Sequence, residues 1–119
     1  MDQVSVVRLL PLQPASGPMH LHVRVGFGQP SHTRGYLDGA LLFEGDTLAE
    51  RTLDLGPSAA LRGRRLECST QVHDLQEATN QTGVDYYLHD GANELRVPLS
   101  FTVAQHGDVV LFHLTVYFA

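Results

Sequence analysis

Ten residues, Val109 to Phe118 (VVLFHLTVYF), constrain the fold more than any other stretch of this chain. Val110, Phe112, Leu114, Val116 and Phe118 fill one face of an extended segment. The opposite face, Val109, Leu111, His113, Thr115 and Tyr117, is also mostly apolar. Side chains alternate along a strand, so a strand apolar on both faces calls for cover on both. The cover is a second sheet or another subunit. The preceding run, Glu94 to Val103, alternates cleanly. Leu95, Val97, Leu99, Phe101 and Val103 share one face, and Glu94, Arg96, Pro98, Ser100 and Thr102 the other. A polar segment, AQHGD at 104–108, separates the two runs. They are expected to pair as a hairpin at the centre of an antiparallel sheet. Pro98 complicates this, because it cannot donate a ladder hydrogen bond. Its strand either carries a bulge or has a free edge there, and a free edge makes 109–118 the more interior of the two.

The same period recurs upstream. Residues 4–10 (VSVVRLL) are β-prone, and Pro11, Pro14, Ser16, Gly17 and Pro18 then break the chain. Met19, Leu21, Val23, Val25 and Phe27 face one way and His20, His22 and Arg24 the other, which predicts a strand at 19–27. Residues 28–35 (GQPSHTRG) read as a loop. Asp38-Gly39 between apolar runs signals a tight hairpin, with one strand carrying a glycine bulge as the competing reading. The segment 47–55 (TLAERTLDL) has a poor period of either kind and is assigned as a strand from its bounding Gly-Asp and Gly-Pro. Residues 57–63 suit a single helical turn, with Ser58 as cap and Gly63 as stop. Leu66, Cys68, Thr70 and Val72 define one more inward face, and Val84, Tyr86 and Leu88 another, with 74–82 as a polar loop between them.

Seven to nine short strands with turns about every ten residues, and at most one helical turn, are the pattern of an all-β domain. The expected fold is an antiparallel two-sheet β-sandwich, immunoglobulin-like or jelly-roll-like, as one domain over 1–119. The Cys…Trp…Cys spacing of immunoglobulin domains is absent, since the chain has no Trp and one Cys.

Composition narrows the function classes. Thirteen acidic residues against eight basic ones give a net charge of −5, which works against nucleic acid and anionic membranes as partners. All the basic residues are Arg, which points to a GC-rich, bacterial coding sequence. A single cysteine, Cys68, makes no internal disulfide and implies no oxidising compartment. The start, MDQVSVVRLLPLQP, has neither a basic n-region nor a long apolar run. A cytoplasmic location is the default expectation, with signal-independent secretion left open.

Seven histidines are the most unusual feature. His20 and His22, two apart on a strand, project from one face, a workable geometry for two ligands of one metal. A His-x-His on a strand with a later His113 resembles the cupin arrangement, which implies a small metalloprotein using all three. The acidic ligand of that pattern is replaced here by Val23 to Gln29, and the Pro-x-Gly turn before the late histidine is missing. A solvent-facing polar stripe is therefore the expectation for His20 and His22, and a satisfied core or interface residue for His113. Tyr36 and Tyr87, with the turn carboxylate Asp90, are the candidate glycan-binding residues, through ring stacking. There is no Gly-x-Ser-x-Gly elbow, phosphate loop or dinucleotide motif, and Cys68 lies on an inward face. No cofactor is expected.

These readings lead to a non-catalytic sandwich module that associates with itself or another protein. Leu111, His113, Thr115 and Tyr117 form the candidate interface. A circular dichroism spectrum of β type is expected; one dominated by helix ends the account.

Overall fold

The computed structural model describes residues 1–14, 17–47 and 49–119. Ser16 and Leu48, which entered the sequence reading, lie outside the described residues. Extended chain dominates. The strands are β1 (Asp2–Leu10), β2 (Pro18–Val25), β3 (Ser31–Leu37), β4 (Ala40–Thr47), β5 (Glu50–Pro57), β6 (Arg65–His73), β7 (Gln81–His89), β8 (Glu94–Thr102) and β9 (Val109–Phe118). One 3₁₀ turn, Ser58–Leu61, precedes β6. The larger sheet runs β1-β9-β6-β3-β4 and the smaller β5-β2-β7-β8. Their inner faces make the core of a two-sheet β-sandwich, as the alternation requires. Leu66, Cys68, Val110, Phe112, Leu114 and Val116 from the larger sheet meet Met19, Leu21, Val23, Tyr86 and Leu88 from the smaller, and none is solvent-exposed beyond 1%. Burial pushes the Cys68 thiol up to about 12, so it is an inert core group.

The hairpin expected between β8 and β9 does not form. β8 is the edge of the smaller sheet and pairs only with β7, while β9 sits in the larger sheet between β1 and β6. The segment after β8 carries the chain from one sheet to the other. It is pinned by Val103 N–H to Asn80 O (2.9 Å) and Gly107 N–H to Asp74 O (2.8 Å). Pro98 fits the free-edge reading. The larger sheet is mixed, because β1 runs parallel to β9 from Asp2↔Val110 to Leu10↔Phe118. The second face of β9 is not enclosed by another layer. It lies on the outside of the larger sheet, where Thr115 is buried, Leu111 and His113 are half-buried and Tyr117 is exposed.

Three local expectations change. Residues 31–35 belong to β3 instead of a loop. Ser31 and Thr33 point inward, where Ser31 Oγ donates to Thr47 O (2.6 Å), and Thr33 and Thr70 share a hydrogen bond (3.1 Å). Tyr86 donates its hydroxyl to Thr70 (2.6 Å), so a buried hydroxyl chain replaces apolar packing there. Ser58 lies within the 3₁₀ turn and does not cap it; its hydroxyl is held by Gly17 O and the Asp90 carboxylate. The strand predicted to reach Phe27 ends at Val25, because Phe27 turns left-handed (φ 59°).

The Asp38-Gly39 turn takes the hairpin alternative and not the single bulged strand. It is a tight hairpin with φ of 50° and 85°, as mirror-image turns require. The ladder also shifts register between Gly35 and Tyr36. A Cβ at Gly35 would come within 2.1 Å of the Phe43 ring, so the ring packs onto the bare backbone. Gly35→Ala should therefore cost about 1–3 kcal/mol. The check is urea unfolding, with a lower midpoint and an unchanged slope.

Candidate functional site

Strand pairing in the smaller sheet gathers an aromatic and titratable group on its outer face. In β2, His20 lies across from His89 and Asp54, His22 from Tyr87 and Thr52, and Arg24 from Asp85 and Glu50. Tyr87 lies across from Arg96 on β8. His22 Nε2 and His89 Nε2 approach to 2.7 Å. Their rings are parallel within 4° with centroids 4.8 Å apart, so they meet edge to edge, nitrogen to nitrogen. His22 Nδ1 is 3.0 Å from Thr52 Oγ1 and 3.6 Å from Glu50 Oε1. His20 stands beside this pair, its centroid 5.6 Å from that of His89. Tyr87 is packed between neighbours, 4.9 Å from His89 by centroid and with the Arg96 guanidinium 4.4 Å from its ring. A hollow of about 190 Å³ adjoins His22, lined also by Arg24, Glu50, Asp85, Tyr87 and Arg96.

The outer face of the larger sheet is a different surface. His113 lies there, with Nδ1 2.8 Å from Ser69 Oγ and Nε2 3.3 Å from Thr115 Oγ1. It does not join His20 and His22, which are on the opposite sheet, so the alternative three-histidine set is not assembled. Among the described residues no three His, Cys, Asp or Glu side chains stand in ligating geometry. Tyr36 is likewise on the larger sheet and Tyr87 on the smaller, so the two do not build one stacking platform. A cluster missed by the sequence reading joins β3 to β4. His32 lies 2.9 Å from Asp46 and 3.1 Å from Glu44, and Arg34 also pairs with Glu44. Hydrogen bonding to Asp46, then to Glu44, raises the His32 pKa. The signal was the alternation of His32 and Arg34 against Glu44 and Asp46, hidden while 28–35 read as a loop.

Asp90 has a structural task. It accepts hydrogen bonds from the backbone of Ala92 (2.9 Å) and Asn93 (2.6 Å), from Asn93 Nδ2 (2.8 Å) and from Ser58. These bonds close the β7–β8 turn and leave the carboxylate little capacity for a glycan.

The free edge of β1 is the third feature. Leu10 O accepts from Ala119 N–H (3.0 Å), and Leu12 N–H donates to Ala119 O (2.8 Å). Backbone polar groups alternate sides along a strand, so the even-numbered residues of β1 face β9. Gln3, Ser5, Val7 and Leu9 then present their N–H and C=O groups to the open edge. Among the described residues no strand pairs there. Val7 and Leu9 are each 62% exposed, and Tyr117 beside Leu9 is 46% exposed. Below them Val4 and Val6 of β1, and Leu95, Leu99 and Phe101 of β8, are only half-buried. The sandwich is open along this seam.

Fold and surface thus define a β-sandwich with a free nine-residue edge at β1 and a histidine-rich face on the smaller sheet. No family model, curated protein or solved structure matches the chain. No helix is long and apolar enough to cross a membrane.

The carboxylate network gives a pH test. Burial alone pushes Asp90 up, but the hydrogen bonds from Ser58, Asn93 and Ala92 outweigh it and hold its pKa at about 2. A depressed folded pKa stabilises above the unfolded value, near 4, and that contribution is lost as pH falls from there toward 2. Asp90→Ala should lower stability by on the order of 1–2 kcal/mol at neutral pH, with the gap from wild type closing over that window. Urea midpoints measured against pH read this directly.

Proposed function

We propose that this protein is a non-catalytic interaction module that pairs with a second copy of itself through the free edge of β1. The observation that carries the reading is the self-complementarity of that edge. A twofold axis needs antiparallel pairing, and open backbone groups must meet open ones, so odd-numbered residues face odd-numbered residues. With Ser5 on the axis, Gln3 faces Val7 of the other copy and Val4 faces Val6. Asp2 then faces Arg8, and the twofold repeats this pair of opposite charges at both ends. Moving the axis to Val4 or Val6 keeps the hydrogen-bond match but loses the charge match.

Two further features support it. A nine-residue edge strand with no proline and no bulge lacks two of the usual guards against pairing, and its charges, Asp2 and Arg8, lie near its ends. A second β1 would also cover the half-buried Val4 and Val6 at the seam. The outer residues Leu111, His113, Thr115 and Tyr117 would then flank the joint as one strand of a doubled sheet.

Light scattering after size exclusion is expected to give about twice the chain mass of 13.1 kDa. Ser5→Pro removes only an outward N–H, so it should yield a folded monomer. Arg8→Asp sets like charges opposite each other at both ends and should weaken association roughly tenfold or more. Adding Asp2→Arg restores opposite charges and should restore the dimer. A wild-type protein that stays monomeric at millimolar concentration overturns the reading, as does an Arg8→Asp variant that dimerises as well as wild type.

A further inference from the structure

The histidine pair on the outer face of the smaller sheet has a geometry that a solvated polar stripe does not need. His22 comes from β2 and His89 from β7, and the ladder sets them one register step apart, with His22 across from Tyr87 and His20 across from His89. Their Nε2 atoms point at each other at 2.7 Å from parallel rings. Two neutral imidazoles in this arrangement share one proton between the facing nitrogens. If each ring instead carries its proton on Nδ1, both Nε2 lone pairs are free and face the same gap. The surroundings favour that tautomer for His22, because Nδ1 already faces Thr52 Oγ1 at 3.0 Å and Glu50 Oε1 at 3.6 Å. A hydroxyl or carboxylate behind a ligating imidazole both orients it and raises its basicity.

We propose that His22 and His89 chelate a divalent transition-metal ion of the copper and nickel class through their Nε2 atoms. Metal–imidazole bonds are roughly 2.0–2.1 Å. Two such bonds at a right angle, as in a square-planar site, set the nitrogens about 2.9 Å apart; a tetrahedral angle sets them about 3.3 Å apart. The observed 2.7 Å lies within about 0.2 Å of the spacing for Cu²⁺ or Ni²⁺ and about 0.6 Å of that for zinc, and binding also requires each ring to swing in its own plane, because the two nitrogens now point at each other. Both rings sit partly exposed on rigid central strands, so the change is a side-chain adjustment. The two nearest guanidinium groups do not oppose the ion freely, since Arg24 is paired with Glu50 at 3.5 Å and Arg96 lies over Tyr87. The two imidazoles supply two positions, and water completes the coordination.

The test uses untagged full-length protein stripped with a chelator. Calorimetric titration with Cu²⁺, Ni²⁺ and Zn²⁺ separately should give one site, tightest for Cu²⁺. Electron paramagnetic resonance of the Cu²⁺ form should show nitrogen coupling from two equatorial imidazoles. His22→Gln and His89→Gln should each weaken Cu²⁺ binding at least tenfold and remove one coupled nitrogen. His113→Gln and His32→Gln, at the other histidine clusters, should change neither. All four positions are on outer faces, and circular dichroism confirms that each variant is folded. Cu²⁺ binding that survives both His22→Gln and His89→Gln overturns the proposal. So does binding abolished by His32→Gln, or no binding at millimolar metal.

Discussion

One strand hydrogen-bonded along both edges holds this molecule together. β9 takes β1 on one side and β6 on the other, and its inward face of Val110, Phe112, Leu114, Val116 and Phe118 is buried against the smaller sheet. Each such side chain contributes about 1.5–3 kcal/mol of burial, whereas one hydrogen bond contributes about 1 kcal/mol net. The register of the larger sheet is therefore set by the face of β9 more than by its ladder, since a slip of one residue would turn that face to solvent. The parallel β1–β9 pair follows, because it brings a further row of side chains, Val4, Val6 and Leu10, over the same core.

The two long sides of the sandwich differ. On one side the chain crosses from β4, ending at Thr47, to β5, starting at Glu50, so the sheets are joined by a very short connection. On the other side β1 and β8 face each other as edges of different sheets, and the apolar residues between them are half-buried. β8 is guarded by Pro98, whereas β1 has no such device. The two sides therefore differ in connection, a short chain crossing on one and a half-buried apolar seam on the other. The histidine face lies outside the smaller sheet, centred on β2 and β7, and is a separate surface with its own chemistry.

The inward faces were readable wherever apolar residues alternated: Met19 to Val25, Leu66 to Val72, Val84 to Leu88, Leu95 to Val103 and Val110 to Phe118. β3 was not readable, because its inward residues are Ser31 and Thr33, whose partners are hydroxyls and a carbonyl distant in sequence. The pairing of β8 with β9 was misjudged for a related reason. A short polar link between two alternating runs looks the same whether it turns the chain within a sheet or carries it between sheets. Part of the histidine face was legible as well. The spacing of His20 and His22 placed them on one side of a strand, but nothing in it pointed to His89, 67 residues away from His22, or excluded His113.

The amino-acid order alone determined that the chain is a β-sandwich, which residues face inward in the strands of alternating apolar pattern, and that Cys68 is a core residue. These are local properties, set by the two-residue period of an extended backbone and the sign of each side chain's transfer to water. Tertiary structure alone decided which strands are neighbours: β1 beside β9, β8 at an edge, His22 against His89. Neighbours in a sheet are chosen by the fit of whole faces brought together from distant parts of the chain, and no single segment contains that information.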